Sequence, residues 1–593
     1  MQLAGIDWAI MAAFFAISLA IGFAVSRAAG KDFNAFFLGS RSMPWWLLGI
    51  SMVATTFSTD TPNLVTDLIR TGGNIGNWGW WCFLLTGMLT VFLYAKLWRR
   101  SGVLTDVEFY EIRYSGKLAA FLRGFRAVYL GIVFNIIVMA SVTLAAIKYG
   151  SVLMGWSPLE TILIAASVTL VYSVLGGLRG VLLTDLVQFG IAMTGSIWAA
   201  WYILNLPEVG GLSGLLNHEN VVPSLAFLPD FEQLTWTDLL PIFLIPLAIQ
   251  WWATYYPGAE PGGGGYIVQR MLSAKDEKHA VKATLAFNAM HYALRPWPWI
   301  LIGLASMIVF PELADLSQRF PDVSENVVGH DLGYPAMLTF LPAGLLGLLI
   351  TSVAAAFMST MSTHVNWGSS LLVNDVYHRF FNPDASEKQL VWAGKISTIL
   401  MMIAACFLAL FLTSAQQVFN IMLQLGAGTG LLYLLRWFWW RINAAAELTA
   451  LISALVIAFY FQLVNQHGLS SWEQLTVGTA ITTAAWLIVA FTTKPTDDDV
   501  LLHFYRKIKP GGPGWRRVVT KAEAQGIEVD PEAGADLPYG LAAAVLGAAG
   551  IYSILFATGF IIYGRLGLGI FFSVVGVLSF IGIAKMWPRL SFE

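Results

Sequence analysis

The chain has 593 residues, of which 57% are hydrophobic and 12% are charged, and its mean hydropathy is +0.67. Soluble domains carry about 25% charged residues, so this composition excludes a mostly water-facing protein. The net charge of −2 provides no basic patch for phosphate, and we expect no nucleic-acid partner. Cys82 and Cys406 are the only cysteines, which excludes a disulfide framework or a thiolate metal site.

Apolar stretches of about 20 residues, the length that crosses about 30 Å of hydrocarbon, recur along the whole chain. We therefore predict an all-α, polytopic membrane protein that lies in the lipid bilayer. The first stretch follows no basic residues, so we interpret it as a retained spanning helix rather than a signal peptide. The roughly fifteen stretches lie near 6–26, 44–69, 76–98, 120–155, 158–177, 181–204, 238–257, 281–310, 340–377, 391–413, 418–439, 444–465, 471–492, 537–562 and 565–587.

Lys and Arg are concentrated in alternate connections, and none lies between Arg179 and Arg270. Because cytoplasmic loops collect these residues, the pattern predicts an N-terminus outside and a C-terminus inside, in a plasma membrane that we expect to be a bacterial inner membrane. The predicted units are a leading helix with its loop (1–43), a first repeat (44–204), an extracellular loop (205–237), a second repeat (238–439), two further helices (440–492), a cytoplasmic loop (493–536) and two C-terminal helices (537–593).

The second stretch contains "ATTFSTDTPNLV" at 54–65, where several hydroxyls and Asp60 precede Pro62. Non-helical backbone survives at membrane depth only around a cavity or inside protein. We expect a break here, after which Thr59 or Asp60 caps a new half-helix. The seventh stretch carries "YYPGAEPGGGG" at 255–265, and two such breaks in corresponding halves indicate a transporter with inverted repeats. A kinked helix and a glycine-rich loop outside the bilayer are the alternative.

The ninth stretch contains "AAAFMSTMSTHVNWGSS". At 100° per residue, Ala356, Ser359, Thr360 and Thr363 fall within an arc of about 100°, with Ser362 a little further round. This face favours a site for sodium, a hard cation that prefers oxygen ligands. Small residues at an ordinary helix contact are the alternative. Asp185 lies inside another span, where a carboxylate is costly and by default functional. Its alternative role is a salt bridge to Arg179.

Five motifs together resemble the sodium:solute symporter family, which contains sodium–glucose, proline and sialic acid carriers, over residues 6–465. They are "GISMVATTFS" at 49–58, "LTDVEFYEIRYSG" at 104–116, "GGLRGVLLTDLVQ" at 176–188, "YIVQRMLSAKDEKHA" at 266–280 and "MSTMSTHVNWGSSLLVNDVY" at 358–377. The resemblance implies a leucine-transporter-like fold of inverted five-helix repeats, with one extra N-terminal helix and about four extra C-terminal helices.

The resemblance also implies sodium ions as the coupling ions and identifies their ligands. The first sodium would use carbonyls of Ala54, Phe57 and Ala356 with the hydroxyls of Ser359 and Thr360. A second would use Asp185, Ser359, Ser362 and Thr363, so we predict two sodium ions per cycle.

The organic substrate is less well defined. His291 stands where sugar carriers have a lysine, Gln424 matches a substrate glutamine, and "PGAEPGGGG" replaces an aromatic and asparagine run. Charges of both signs in this region favour a small polar or zwitterionic solute. The predicted substrate residues are Asp60, Thr61, Trp80, Glu260, His291 and Gln424.

We therefore predict a sodium-coupled symporter that imports a sugar, sugar derivative, amino acid or carboxylate by alternating access, and not an enzyme. Two alternatives stay open. One is a sensor that keeps the transporter fold without turnover, although the 493–536 loop is too short for a fused signalling domain. The other is proton coupling through Asp60 or Asp185. The sequence does not determine the oligomeric state.

Overall fold

A computed structural model of the chain describes residues 3–29, 37–232, 234–254, 260–324, 327–464, 468–530 and 532–592. These parts are helical, and their one β-type pairing is an isolated bridge between Met43 and Ala274. The prediction of an all-α membrane protein is confirmed. Residues 255–259, which contain Pro257 of the second predicted break, lie outside the described residues.

Nineteen helices are labelled here in chain order, and several shorter helical turns connect them. They are α1 Gly5–Ala29, α2 Trp45–Thr56, α3 Asp60–Gly76, α4 Trp78–Ser101, α5 Gly116–Met154, α6 Pro158–Leu204, α7 Trp236–Leu239 continued by Leu240–Leu244 and Ile245–Ala248, α8 Gly265–Ser273, α9 Glu277–Val309, α10 Leu345–Phe381, α11 Glu387–Ala409, α12 Ala415–Leu425, α13 Gly430–Phe438, α14 Ala444–Leu463, α15 Ser471–Thr492, α16 Asp498–Ile508, α17 Arg516–Ala524, α18 Leu537–Ile562 and α19 Leu566–Met586.

Ten helices of the described chain are long and apolar enough to cross a membrane, or eleven if the bent pair α12 and α13 is counted as one span. The sequence predicted roughly fifteen spans. Part of the difference comes from helices that are shortened by breaks, such as α2 and α3. Polar residues at these breaks shorten the apolar part of each half, but both halves still lie in the helix bundle.

The predicted spans 158–177 and 181–204 are not separate helices. α6 runs without interruption over 47 residues. At 1.5 Å per residue it is about 70 Å long, the length of two spans. Gly176 and Gly177 lie in its middle, but glycine only weakens a helix. After Pro158 at its start, residues 159–204 include no proline that would remove a hydrogen bond and clash with the preceding turn.

The broken pair α2 and α3 lies at the centre of the helix bundle. α6 packs against α2 and runs along α10, while the first half of α9 packs against α2 and its second half against α3. Most side chains of α2 from Leu47 onward are buried. Any group that the break exposes therefore faces protein rather than lipid.

The 493–536 connection contains α16 and α17 and is fixed to the bundle by Trp515. This indole is fully buried, stacks on Phe504 at 5.6 Å and donates to the Trp437 carbonyl at 2.9 Å. Arg113 lies 5.1 Å from the centre of its ring. The connection is thus a docked helical segment.

Candidate sodium and substrate site

The second predicted span is broken near its middle. α2 ends at Thr56, α3 begins at Asp60, and Phe57 between them has backbone angles of φ −83° and ψ 65°, which are not helical. Of the two predicted capping residues, Thr59 directly precedes α3 but its side chain makes no capping bond, and Asp60 is the first residue of the helix itself. Thr59 Oγ1 instead donates to the Val142 carbonyl of α5 at 2.9 Å. The break is therefore tied to a neighbouring helix.

The hydroxyls of α10 meet α2 just before this break. Thr360 Oγ1 donates to the Thr55 carbonyl at 2.7 Å, and Thr363 Oγ1 lies 3.1 Å from Thr55 Oγ1. Ala54 and Ala356 are both buried at this contact. The structure thus brings together the two stretches of chain from which the first sodium ligands were predicted.

Asp185 of α6 faces the same region. Its carboxylate accepts from Ser359 Oγ at 2.6 Å and from Ser51 Oγ on α2. The alternative of a salt bridge to Arg179 is wrong, because Arg179 is exposed while Asp185 is fully buried and faces Arg270. Of the other predicted second-site residues, Thr363 contacts α2, and Ser362 Oγ donates along α10 to the Ser359 carbonyl at 3.1 Å.

Arg270 is a neighbour of the second predicted sodium site that sequence reasoning missed. It comes from α8, which begins at Gly265, the last glycine of the run. Its Nη2 donates to Thr363 Oγ1 at 2.9 Å, and its Nε donates to Ser51 Oγ at 3.3 Å. Its Nη1 donates to Gln269 Oε1 at 2.8 Å. A fixed positive charge of the protein therefore borders the site.

Gln188 is a second residue that the sequence analysis did not select. It is 2% exposed, and neither atom of its amide has a hydrogen-bond partner in the described parts of the chain. Asp185 contacts Ser359, and Ser352 donates to the Ala192 carbonyl, so α6 and α10 run antiparallel and Gln188 lies at the level of Ala356. The sequence feature that could have identified Gln188 is its position three residues after Asp185, which places both residues on the same helix face.

A polar cavity lies on the other side of the break. Four of the six predicted substrate residues line it, together with hydroxyls, Arg295 and several apolar side chains. Its lining is Thr56, Ser58, Asp60, Thr61, Leu64, Val65, Trp80, Val138, Ser141, His291, Arg295, Ala415, Phe419 and Met422.

One wall of the cavity is a hydrogen-bonded cluster of Thr56, His291 and Arg295. Arg295 Nη2 lies 3.2 Å from His291 Nε2, and its Nη1 donates to Thr56 Oγ1 at 3.1 Å. His291 Nδ1 lies 3.1 Å from the same Thr56 oxygen. Thr56 Oγ1 in turn donates to the Val53 carbonyl at 3.0 Å. This cluster connects α9 to the last turn of α2.

The opposite polar group is Asp60, the first residue of α3. Its carboxylate accepts from Ser141 Oγ of α5 at 2.9 Å and from Ser58 Oγ. Trp80, in the wall, stacks on Tyr292 with ring centres 5.6 Å apart. The cavity therefore offers a carboxylate, a guanidinium and an aromatic ring.

A model of the sodium:solute symporter family matches residues 36–455 of this chain, which is more than half of it. The chain belongs to this family. Sodium:solute symporters are transporters, so this protein is a transporter rather than an enzyme.

The symporter is similar to named relatives and to a solved structure. It is 24% identical over 522 residues to a sodium/glucose cotransporter of Vibrio parahaemolyticus, which covers 83% of this chain and 92% of that one. It is 25% identical over 479 residues to a sodium/mannose cotransporter of Bos taurus, which covers 77% and 78%. A Na+-coupled sialic acid symporter, solved in a substrate-bound outward-open state, matches with a TM-score of 0.65 and 21% identity over 84% of this chain and 100% of that one. The two proteins share the leucine-transporter-like fold.

Glu260 of the symporter, a predicted substrate residue, does not line the polar cavity. It lines a smaller cavity that also contains Thr56 and His291. Its carboxylate is held by Arg126 Nη2 at 2.8 and 2.9 Å and by Arg436 Nη2 at 3.3 Å. All three side chains of this ion cluster are buried.

Gln424 also lies apart from the polar cavity. Its Oε1 accepts from Gln462 Nε2 at 2.7 Å, and its Nε2 donates to Gln474 Oε1. These three amides connect α12 to α14 and α15. Gln424 borders a separate cavity that Gly79 and Gln250 also line.

Proposed function

We propose that this symporter uses an inward sodium gradient to import a small polar organic solute by alternating access. The observation that carries the proposal is the contact of Thr360 with Thr55, 2.7 Å from hydroxyl to carbonyl, directly before the break in the second span. It supports a shared ion site because oxygens from two separate stretches of chain meet there, beside a helix break.

The first sodium ion would be held by carbonyls of Ala54, Phe57 and Ala356 and by the hydroxyls of Ser359 and Thr360. These groups suit sodium because they are neutral oxygens and need no full buried countercharge. An ion between α2 and α10 stabilises the arrangement in which these helices are close. Sodium and solute are then coupled because both bind more tightly to one of the two states.

The proposed second ion would bind Asp185, Ser359, Ser362 and Thr363. With Arg270 nearby, Asp185 already faces one positive charge, and an added sodium ion would leave the buried group with a net charge of +1. Buried uncompensated charge is costly. We therefore propose that the second ion enters when Arg270 withdraws from Asp185.

The solute would occupy the cavity lined by Asp60, Thr61, Trp80 and His291. Glu260 and Gln424 stay predictions as substrate residues, and both contact other side chains of the bundle. We also propose that 44–204 and 238–439 are the inverted repeats, and that the chain lies in the plasma membrane with its N-terminus outside.

The test measures sodium binding and transport on the same protein. The melting temperature of the purified protein is measured at increasing sodium concentrations, with choline as the replacement cation to keep the ionic strength constant. Proteoliposomes are then assayed for uptake of labelled sugars, amino acids and carboxylates under an inward sodium gradient, at several external pH values. We expect sodium to raise the melting temperature and to drive uptake of at least one solute.

The variants are Ser359→Ala and Thr360→Val, with Thr351→Val as the matched control. Thr351 lies on the same helix and is buried, but its hydroxyl donates to the Gly347 carbonyl inside α10 at 2.7 Å. We expect the first two variants to lose at least tenfold in sodium affinity and the control to retain it. Equal, sodium-independent uptake by wild type and Ser359→Ala would refute sodium coupling, and uptake driven by pH alone would favour protons.

A further inference from the structure

The polar cavity contains a guanidinium that sodium coupling by itself does not require. Arg295 is 1% exposed and lines the cavity with its charged end among Thr56 and His291. Its guanidinium also lies 5.3 Å from the ring centre of Trp299. A guanidinium keeps its proton in proteins, so this wall of the cavity carries a permanent positive charge.

The backbone of α9 places this side chain in the cavity. Met290–Leu294 form a π-turn, and Arg295 N–H donates to the Met290 carbonyl at 3.1 Å, five residues back. Pro296 follows and has no N–H to continue the helical pattern. Arg295 Nε then donates to the His291 carbonyl at 3.3 Å. π-Turns of this kind are frequent at functional sites.

The contacts of Arg295 determine the state of His291. A guanidinium can only donate, so His291 Nε2 must accept from Arg295 Nη2 and carries no proton. The proton is on Nδ1, which donates to Thr56 Oγ1. His291 is therefore neutral and orients the guanidinium without balancing its charge.

The other end of the cavity has the opposite character. The Asp60 carboxylate is held by the hydroxyls of Ser58 and Ser141, which are neutral donors. It has more acceptor capacity than these two bonds use, because an ionised carboxylate has about four lone-pair sites. The apolar side chains of Phe419 and Met422 lie in the wall as well.

We infer that the transported solute carries a carboxylate that binds Arg295, and hydroxyl or ammonium donors that bind Asp60. This inference rests on the proposed function. Asp60 and Arg295 carry opposite charges, so a solute of net charge −1 and one sodium ion together leave the net charge of this cavity unchanged. A neutral sugar with sodium would leave one buried positive charge uncompensated. Hexuronates supply both kinds of group and this net charge, whereas zwitterionic amino acids supply both kinds of group but, like a neutral sugar, add no net charge.

The experiment compares matched solutes that differ in the carboxylate. The melting temperature of the purified protein is measured in saturating sodium at increasing concentrations of each solute, and the affinities are compared within each pair. The pairs are glucuronate and glucose, galacturonate and galactose, and proline and pyrrolidine. We expect at least one acid to bind at least tenfold more tightly than its partner that lacks the carboxylate. Success of the hexuronates identifies hydroxyls as the groups at Asp60, and success of proline identifies an ammonium.

The variants assign the preference to Arg295. We expect Arg295→Gln to reduce the preference for the acid over its partner at least tenfold. Arg295→Lys should keep part of this preference, because lysine retains the charge but lacks the planar guanidinium. Arg319→Gln, at an exposed arginine of a short connecting helix, is the control and should behave as wild type. If Arg295→Gln has no cooperative melting transition, Arg295→Lys and the wild-type solute pairs decide the question.

Three results would overturn the inference. The first is tighter binding of the neutral sugars than of the acids. The second is a wild-type melting temperature that no carboxylate solute changes. The third is a preference for the acid that stays unchanged in Arg295→Gln. Each leaves sodium coupling intact as long as sodium itself still raises the melting temperature. Absence of any sodium effect on wild type would instead refute the proposed function.

Discussion

Arg270 Nη2 lies 4.0 Å from Asp185 Oδ2, and neither side chain is exposed. Ser51 lies between them, since it donates to the Asp185 carboxylate and accepts from Arg270. α2, α6 and α8 are thus joined through one buried charge pair beside the break in the second span. Removing one partner of such a pair leaves an uncompensated charge, which typically costs about 3–5 kcal/mol.

The first prediction concerns Arg270→Gln. Without the guanidinium, Asp185 forms no ion pair with another side chain of the described residues, and sodium can take that place. We expect this variant to be destabilised by about 3–5 kcal/mol in choline medium and to regain a large part of this loss in sodium. The measurement is the melting temperature in the two media.

Arg113→Gln is the control for this rescue. Arg113 is also fully buried, but it donates to the carbonyls of Arg436 and Trp439, at 2.8 and 2.9 Å. Its loss should destabilise the protein equally in both media. Equal destabilisation of Arg270→Gln in sodium and choline would contradict an ion site at Asp185.

The second prediction concerns the ion cluster around Glu260. Glu260→Gln removes the carboxylate that Arg126 and Arg436 share. We expect a loss of about 3–5 kcal/mol, because guanidiniums remain buried with less countercharge. Glu208→Gln, at an exposed carboxylate, should leave the melting temperature unchanged. A melting temperature of Glu260→Gln within the error of wild type would show that this cluster does not hold the helices together.

The third prediction uses the buried amide of Gln188. A buried polar group without a partner costs about 1–3 kcal/mol. Gln188→Met keeps a similar shape without this cost, so we expect a higher melting temperature in sodium-free medium. Gln389→Met, at an exposed capping residue of α11, is the control and should not stabilise the protein. A lower melting temperature of Gln188→Met would mean that the amide makes a stabilising contact.

The sequence was sufficient to predict the fold class and the polar clusters in the second and ninth spans, and the family resemblance implied that these two spans meet. Both depend on strong local signals, namely long apolar stretches and clustered hydroxyls beside Pro62. In a membrane such polar clusters are costly alone, so they indicate that a partner lies nearby. Thr360 and Asp185 were found in this way.

The sequence was not sufficient to predict which charges pair across the bundle. Arg179 is the arginine nearest to Asp185 in sequence, yet Arg270, which is far away along the chain, faces it in space. Glu260 and Gln424 were assigned to the substrate by position, whereas the contacts of Glu260 depend on how α5 and α13 pack, and those of Gln424 on how α12, α14 and α15 pack. Tertiary packing decides these partners, and a single sequence carries no direct signal for it.

The last prediction tests how the seventh span approaches the bend between α12 and α13. A Cβ atom added to Gly430 would lie 1.5 Å from the Trp252 carbonyl oxygen and 2.8 Å from Pro261. No side-chain rotation relieves a clash with backbone, so Gly430→Ala should cost about 3 kcal/mol and weaken uptake. Gly478→Ala is the control, because its nearest neighbour would be 3.4 Å away. Melting and uptake are measured on both variants, and a Gly430→Ala protein as stable and active as Gly478→Ala would mean that the two backbones do not approach as closely as described.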